Sequence, residues 1–256
     1  MNSRGIAAIL WLGMASTAQA EVLTVPLVQG THFGRDVALA PRIRSSSDLR
    51  APGLIQARKA MVQKRRLSLG TLRSLADAGD GLAAHQLAER LAAKDRSDLA
   101  ADTAHYYSIA AAKGRSYAVR GMVTAIDQID QKAVHPRRLA ELKKVLFAYV
   151  KAGHPLAVKA ALAYHLSAYP FGDLSHEMRT LALASNTSGA GGIALQLASI
   201  TLQNSAADAA ALAEAQTLLG IAQQSPSFSQ RVTATNLLPL VQARLDQFPP
   251  QQQEAN

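Results

Sequence analysis

This sequence predicts an all-α fold, an α-α superhelix of about four to five antiparallel helical hairpins, and three observations predict it. A small residue followed four positions later by a second small residue, usually Ala, opens an apolar helical run at Gly79/Ala83, Gly114/Ala118 and Gly153/Ala157. Weaker copies stand at Ala190/Ala194 and Ser225/Ser229. The second members lie 35, 39, 37 and 35 residues apart, the period of stacked helical hairpins. Ala and Leu are abundant while aromatics make up only 5%, which favours close helix-on-helix packing over a sheet.

The elements follow in chain order. Residues 1–20 read as a secretory signal: Arg4 is the positive start, Gly5 to Ala15 the apolar stretch, and Ala18-Gln19-Ala20 the small-residue cleavage site before Glu21. Residues 21–52, with Pro26, Pro41, Pro52 and Ser45-Ser46-Ser47, carry no helical period and are expected to form an extended, poorly ordered leader. The helical repeat domain spans 53–248. Leu54, Ala57, Met61 and Leu67 line one side of its first helix, which Gly70 is expected to break before a second short one, Leu72 to Ala78.

The first hairpin pairs Leu82–Ala93 with a helix capped by Ser97 or Asp98 and running to Lys113, where Gly114 suits the left-handed position after a helix end. The second pairs Tyr117–Asp127 with Pro136–Ala152, Pro136 fitting the first helical position. Leu139, Leu142, Leu146 and Tyr149 give that helix a buried stripe. Pro155 starts the third hairpin, which turns at Tyr169–Asp173 into Leu174–Ser185. Gly192–Gln203 and Ala206–Gln223 form the fourth. A last helix runs from Phe228 to Phe248, kinked or shortened at Pro239, and the Gln- and Pro-rich tail 249–256 is expected to be disordered.

Composition removes some chemistry. Cysteine is absent, which excludes a disulfide framework and a thiolate nucleophile. The net charge of +9 is local: the segment 35–73 holds ten basic residues against Asp36 and Asp48, and 132–159 holds seven against Glu141. From residue 180 onward acidic side chains outnumber basic ones. The basic stretches read either as solvated faces or as an attractor for an acidic polysaccharide, an anionic surface or an acidic protein.

Asp80 to Ala118 resembles a repeat of the Sel-one-like family, a branch of the tetratricopeptide superfamily. The likeness is carried above all by Ala104-His105-Tyr106-Tyr107-Ser108-Ile109-Ala110-Ala111-Ala112-Lys113-Gly114-Arg115-Ser116-Tyr117-Ala118. Leu75-Ala76-Asp77-Ala78-Gly79 and Val150-Lys151-Ala152-Gly153 with Ala157 repeat the junction, and the likeness covers about residues 75–160. Val145 and Leu146 stand where aromatics are usual. The resemblance implies a solenoid. Secreted relatives of this kind are commonly scaffolds in polysaccharide export or regulators of a receptor's sensor domain.

Enzymatic motifs are not found. None of the seven His stands in HExxH or at i, i+4 from another, so no metal and no cofactor is expected. The glycine-rich stretch Asn186–Gly192 lacks the Lys-Ser/Thr ending of a phosphate loop and reads as a turn between hairpins. All six tyrosines fall in the middle hairpins, where solenoid core is the simplest reading, and the single tryptophan, Trp11, lies in the signal.

The expectation is therefore a periplasmic or secreted, non-enzymatic scaffold that grips a protein partner in the cell envelope, serving exopolysaccharide production, export or its regulation. Nucleic acid is not an expected partner, and no transmembrane segment is expected. Gln86, Arg90, Arg120 and Lys159 on first helices, with Arg137, Lys144 and Lys151 as a lateral basic face, are the candidate contacts. An envelope enzyme built on an α-helical toroid, and a periplasmic inhibitor docking through residues 21–52, remain as alternatives.

Overall fold

Prolines and side-chain caps set most of the helix starts. The computed structural model describes residues 37–184 and 189–248, and among these the chain is all-α, with eleven α-helices and no strand. They are α1 Pro52–Val62, α2 Leu69–Asp77, α3 Gly81–Ala92, α4 Ala100–Ala112, α5 Ala118–Ile126, α6 Pro136–Lys151, α7 Pro155–Ser167, α8 Ser175–Leu183, α9 Ala190–Gln203, α10 Ala209–Gln223 and α11 Phe228–Leu245. Pro52, Pro136 and Pro155 open α1, α6 and α7, where a missing N–H leaves no hydrogen bond unmade. Ser68, Asp80, His135 and Asp208 accept backbone N–H bonds at the starts of α2, α3, α6 and α10. The expected signal segment, the leader up to residue 36 and the tail lie outside the described residues, as do residues 185–188 of the glycine-rich stretch.

Three successive junctions close in the same way. Gly79, Gly114 and Gly153 follow α2, α4 and α6 with φ of 92, 76 and 75°. At each, the next residue donates its N–H to the carbonyl five positions back: Asp80 to Leu75 at 3.0 Å, Arg115 to Ala110 at 3.1 Å, His154 to Tyr149 at 3.0 Å. The glycine itself bonds three back, to Ala76, Ala111 and Val150. This pair of bonds satisfies helix-end carbonyls, and it needs a residue that tolerates left-handed backbone. It also turns the chain directly into the next helix, so Ala83, Ala118 and Ala157 arrive fully buried; Ala194 is fully buried too, without such a turn before it.

All the extensive helix–helix packings join neighbours or next-but-one neighbours in chain order, including α3 on α5, α4 on α6, α5 on α7, α7 on α9 and α9 on α11. Tyrosine hydroxyls stitch one layer to the layer before it. Tyr106 on α4 donates to the Asp77 carboxylate at the end of α2 (3.3 Å), and Tyr149 on α6 donates to the Ala111 carbonyl at the end of α4 (3.0 Å). Tyr164 on α7 donates to Asp127 at the end of α5 (2.7 Å), and burial with that carboxylate pushes its own pKa up. The expected stripe on α6 is present: Leu142, Leu146 and Tyr149 are fully buried and Leu139 packs against them.

Several local expectations differ. Gly70 does not break a helix; it lies inside α2, and the break falls at Lys64, which takes φ 61° after α1. Ser97 and Asp98 belong to a 3-10 turn, Ser97–Leu99, that leads into α4, so neither caps it directly. The helix α11 continues through Pro239, an exposed position, so the proline does not end it. Tyr106, Tyr107, Tyr149 and Tyr164 are core, whereas Tyr117 and Tyr169 are exposed. Ser229 is only half-buried, so the last copy of the repeated fragment opens a single covering helix, α11, packed on α10 and α9.

The second half of the leader is docked. Leu39 and Ala40 donate backbone N–H bonds to the Ala112 carbonyl, and Ala38 forms an isolated antiparallel bridge with Lys113. Ser45 and Asp48 build a capping box around the 3-10 turn Ser46–Asp48, and Leu49 is buried. A buried arginine holds this segment down: Arg58 on α1 donates to the carbonyls of Ile43 and Arg44 and to the Asp80 carboxylate. The polar composition of 37–50 hides this, since the groups that dock are backbone carbonyls and N–H groups.

Candidate functional site

The seven side chains singled out from sequence occupy three different settings. Arg137, Lys144 and Lys151 are exposed and spaced by seven residues along α6, so they share one helical stripe, with Arg137 paired to Glu141 at 3.5 Å. Arg120 and Lys159 are also exposed, each two positions beyond the buried anchor alanine of its first helix. Gln86 is half-buried on α3. Arg90 is engaged elsewhere: its guanidinium donates to the Leu67 carbonyl at 2.5 Å and closes the loop before α2.

A different group of basic residues is gathered into a pocket. The docked segment supplies Arg42, Ile43 and Arg44; α1 supplies Arg58; the start of α3 supplies Gly81; and the α4–α5 junction supplies Lys113, Gly114, Arg115 and Tyr117. The cavity is about 520 Å³. Its walls are positioned by bonds to main-chain oxygens. Arg42 donates to the Gly114 carbonyl at 2.5 Å and Lys113 to the Pro41 carbonyl at 2.9 Å, both across 72 residues of sequence. Glycine permits the closeness: a Cβ on Gly114 would stand 2.0 Å from the Arg42 guanidinium, and one on Gly81 would stand 2.8 Å from Lys113 Cβ.

One lining residue of this pocket, Tyr117, is half of an aromatic pair. Tyr117 is 55% exposed, its ring edge-on to His85 at 4.7 Å between centroids, and its hydroxyl accepts from Arg115 at 2.7 Å. Burial holds the His85 imidazole below its ordinary pKa, with the Arg115 charge adding to that, against the opposing pull of Glu89, to which His85 Nε2 comes within 3.2 Å.

Sequence reasoning recognised Arg42, Arg44 and Arg58 as part of a local charge excess but not as members of a site. Lys113, Arg115 and Tyr117 were legible only as flanks of the repeat junction. Their convergence depends on where residues 38–44 dock. Among the described residues no group of three or more His, Asp or Glu side chains is arranged to hold a metal, and no helix is long and apolar enough to cross a membrane. Compared with family models, with curated proteins and with solved structures, the chain matches none of them.

Proposed function

We propose that this chain is an exported helical-repeat adaptor of Sel-one-like type, its hairpins stacked into a superhelix, that binds an acidic protein partner in the cell envelope. The observation carrying this reading is the exposed basic register of successive helices. Arg120 and Lys159 occupy the same step of two first helices, and Arg137, Lys144 and Lys151 form a stripe along α6. Charges in such a row steer association with a surface of opposite sign and are weakened by salt. Export rests on the pattern of residues 1–20, and a role in exopolysaccharide production, export or its regulation rests on the family resemblance alone.

The test is a crosslinked pull-down from the periplasm, followed by binding measurements on the captured partner. Reversing Arg137, Lys144 and Lys151 together to Glu should slow association by about tenfold or more and flatten its salt dependence. Unchanged association with that partner would remove the α6 stripe from the reading.

A further inference from the structure

We infer that the end of α1 and the turn between α1 and α2 form a second interaction surface, one that docks the protein onto an anionic phospholipid membrane. The inference stands apart from the adaptor reading, because its cations are Lys59, Lys64, Arg65 and Arg66, none of them among the contacts of that reading.

Between Asp48 and Asp77 the chain has no carboxylate side chain, while it has seven basic ones. Two of the seven have acidic partners: Arg58 is buried against Asp80 at 2.7 Å, and Arg73 stands 3.8 Å from Asp102. The side chains of Arg50, Lys59, Lys64, Arg65 and Arg66 are exposed and, among the described residues, form no ion pair and no hydrogen bond. Four of these five fall within the eight residues 59–66, at the end of α1 and in the turn after it. Like charges gathered so closely repel, and no acidic side chain of the same stretch offsets them.

The backbone that displays these cations is held in place. Lys64 takes φ 61° and donates its N–H to the Met61 carbonyl at 2.9 Å, Arg65 donates to the Ala60 carbonyl at 3.0 Å, and Arg90 grips the Leu67 carbonyl on the far side of the turn. Residues 62–66 are exposed without interruption, and so are 68–70. A turn exposed on so many successive residues encloses no ligand; it suits a broad surface that meets all its charges at once. Clusters of about four or more Lys and Arg are drawn to anionic leaflets, each charge adding to the attraction. Two aliphatic side chains flank the cations, Val62 at 58% exposure and Leu69 at 36%. They favour lipid over an acidic protein or polysaccharide, because at a membrane they enter the boundary between headgroups and acyl chains while the ammonium and guanidinium groups stay at the phosphates.

Co-sedimentation of the full chain with lipid vesicles tests this, comparing equal parts of phosphatidylglycerol and phosphatidylcholine with phosphatidylcholine alone. The difference between the two is the readout, so uptake through the apolar residues 5–15 cancels. A preference for the anionic vesicles is expected, falling as added salt screens it. Arg65→Gln combined with Arg66→Gln should weaken that preference at least about tenfold. Lys132→Gln combined with Arg179→Gln removes the same charge from elsewhere on the chain and should leave it unchanged. Val62→Ser alters no charge and should weaken it about threefold, a loss that binding by charge alone does not show. Arg65 and Arg66 are exposed and their side chains unbonded, so their double variant should melt as the parent does; should it not, Lys59→Gln decides in its place. No preference for anionic vesicles, equal weakening by the two double variants, indifference to Val62→Ser, or capture of polygalacturonate in place of vesicles through Arg65 and Arg66 would overturn the inference.

Discussion

The junctions from α2 to α7 and those from α8 to α11 solve the same packing problem by different chemistry. In the first region a left-handed glycine at 79, 114 and 153 closes each layer with one pair of backbone bonds, and Tyr106, Tyr149 and Tyr164 reach back into the preceding layer. In the second region the seams rely on small size. Gly189, at φ −92°, sits where a Cβ would be 2.4 Å from the Val150 carbonyl oxygen, and Gly191 sits where one would be 2.6 Å from Ser225 Cβ. At the last turn Ser225 is buried, and Arg231 donates to its carbonyl at 2.9 Å. Turn geometry therefore defines the repeat in the first half, whereas in the second half close approach of helix backbones replaces it.

The largest expected difference between the regions lies in their ion pairs. Asp80 is buried, caps α3 and holds Arg58, which in turn holds the docked segment. Asp80→Ala should cost about 3–5 kcal/mol in chemical denaturation, because it strands a buried guanidinium. The Arg179–Glu214 pair at 2.8 Å between α8 and α10 is solvent-exposed, so Glu214→Ala should change stability by about 1 kcal/mol or less. Comparable losses from the two variants would break the contrast.

A glycine comparison sharpens it. Gly114→Ala forces left-handed backbone on Ala and drives its Cβ into Arg42, so a loss of at least about 1–2 kcal/mol is expected. Gly220 lies inside α10 with nothing within 4 Å of where a Cβ would stand, and Gly220→Ala should stabilise by about 0.5–1 kcal/mol. Thermal melts of the two variants should therefore move in opposite directions. Shifts of the same sign would show that φ at the junction does not set the cost.

The smallest effect is a dependence on pH carried by histidines of the first region. Burial holds the imidazoles of His105 and His154 below their ordinary pKa of 6.5. Around His105 the charges of Arg138 on one side and Glu141, Asp102 and Asp77 on the other partly cancel. The unfolded chain binds protons at these two sites first, so their contribution is full above pH 6.5 and is lost as pH falls from there through the folded values. The double variant His105→Phe, His154→Asn should reduce the slope of melting temperature between pH 7 and the mildly acidic range, the remainder including His85, whose imidazole burial also holds low, and an unchanged slope would assign the dependence to other groups.

Much of the fold was legible because its signals are short-range. Pro136 and Pro155 opened helices where their missing N–H predicts, and Gly114 took the left-handed position its place after a helix requires. Gly70 misled because it is a breaker by intrinsic preference, yet it lies on an exposed side of a helix that packing holds in place from its other face. Of the site, only the excess of basic residues was visible. Arg90 resembled a contact residue because a sequence does not show that the Leu67 carbonyl stands within its reach.

By itself the sequence determined that the chain is helical, where three of its turns fall, and which alanines are buried, since each of these depends on residues within a few positions of one another. Only the tertiary structure decided that residues 38–44 fold back onto a turn 72 residues away and bring Arg42 and Arg44 opposite Lys113 and Arg115. The reason is physical: that docking is made by backbone carbonyls and N–H groups, which every residue carries alike, and so it leaves almost no mark in the order of side chains.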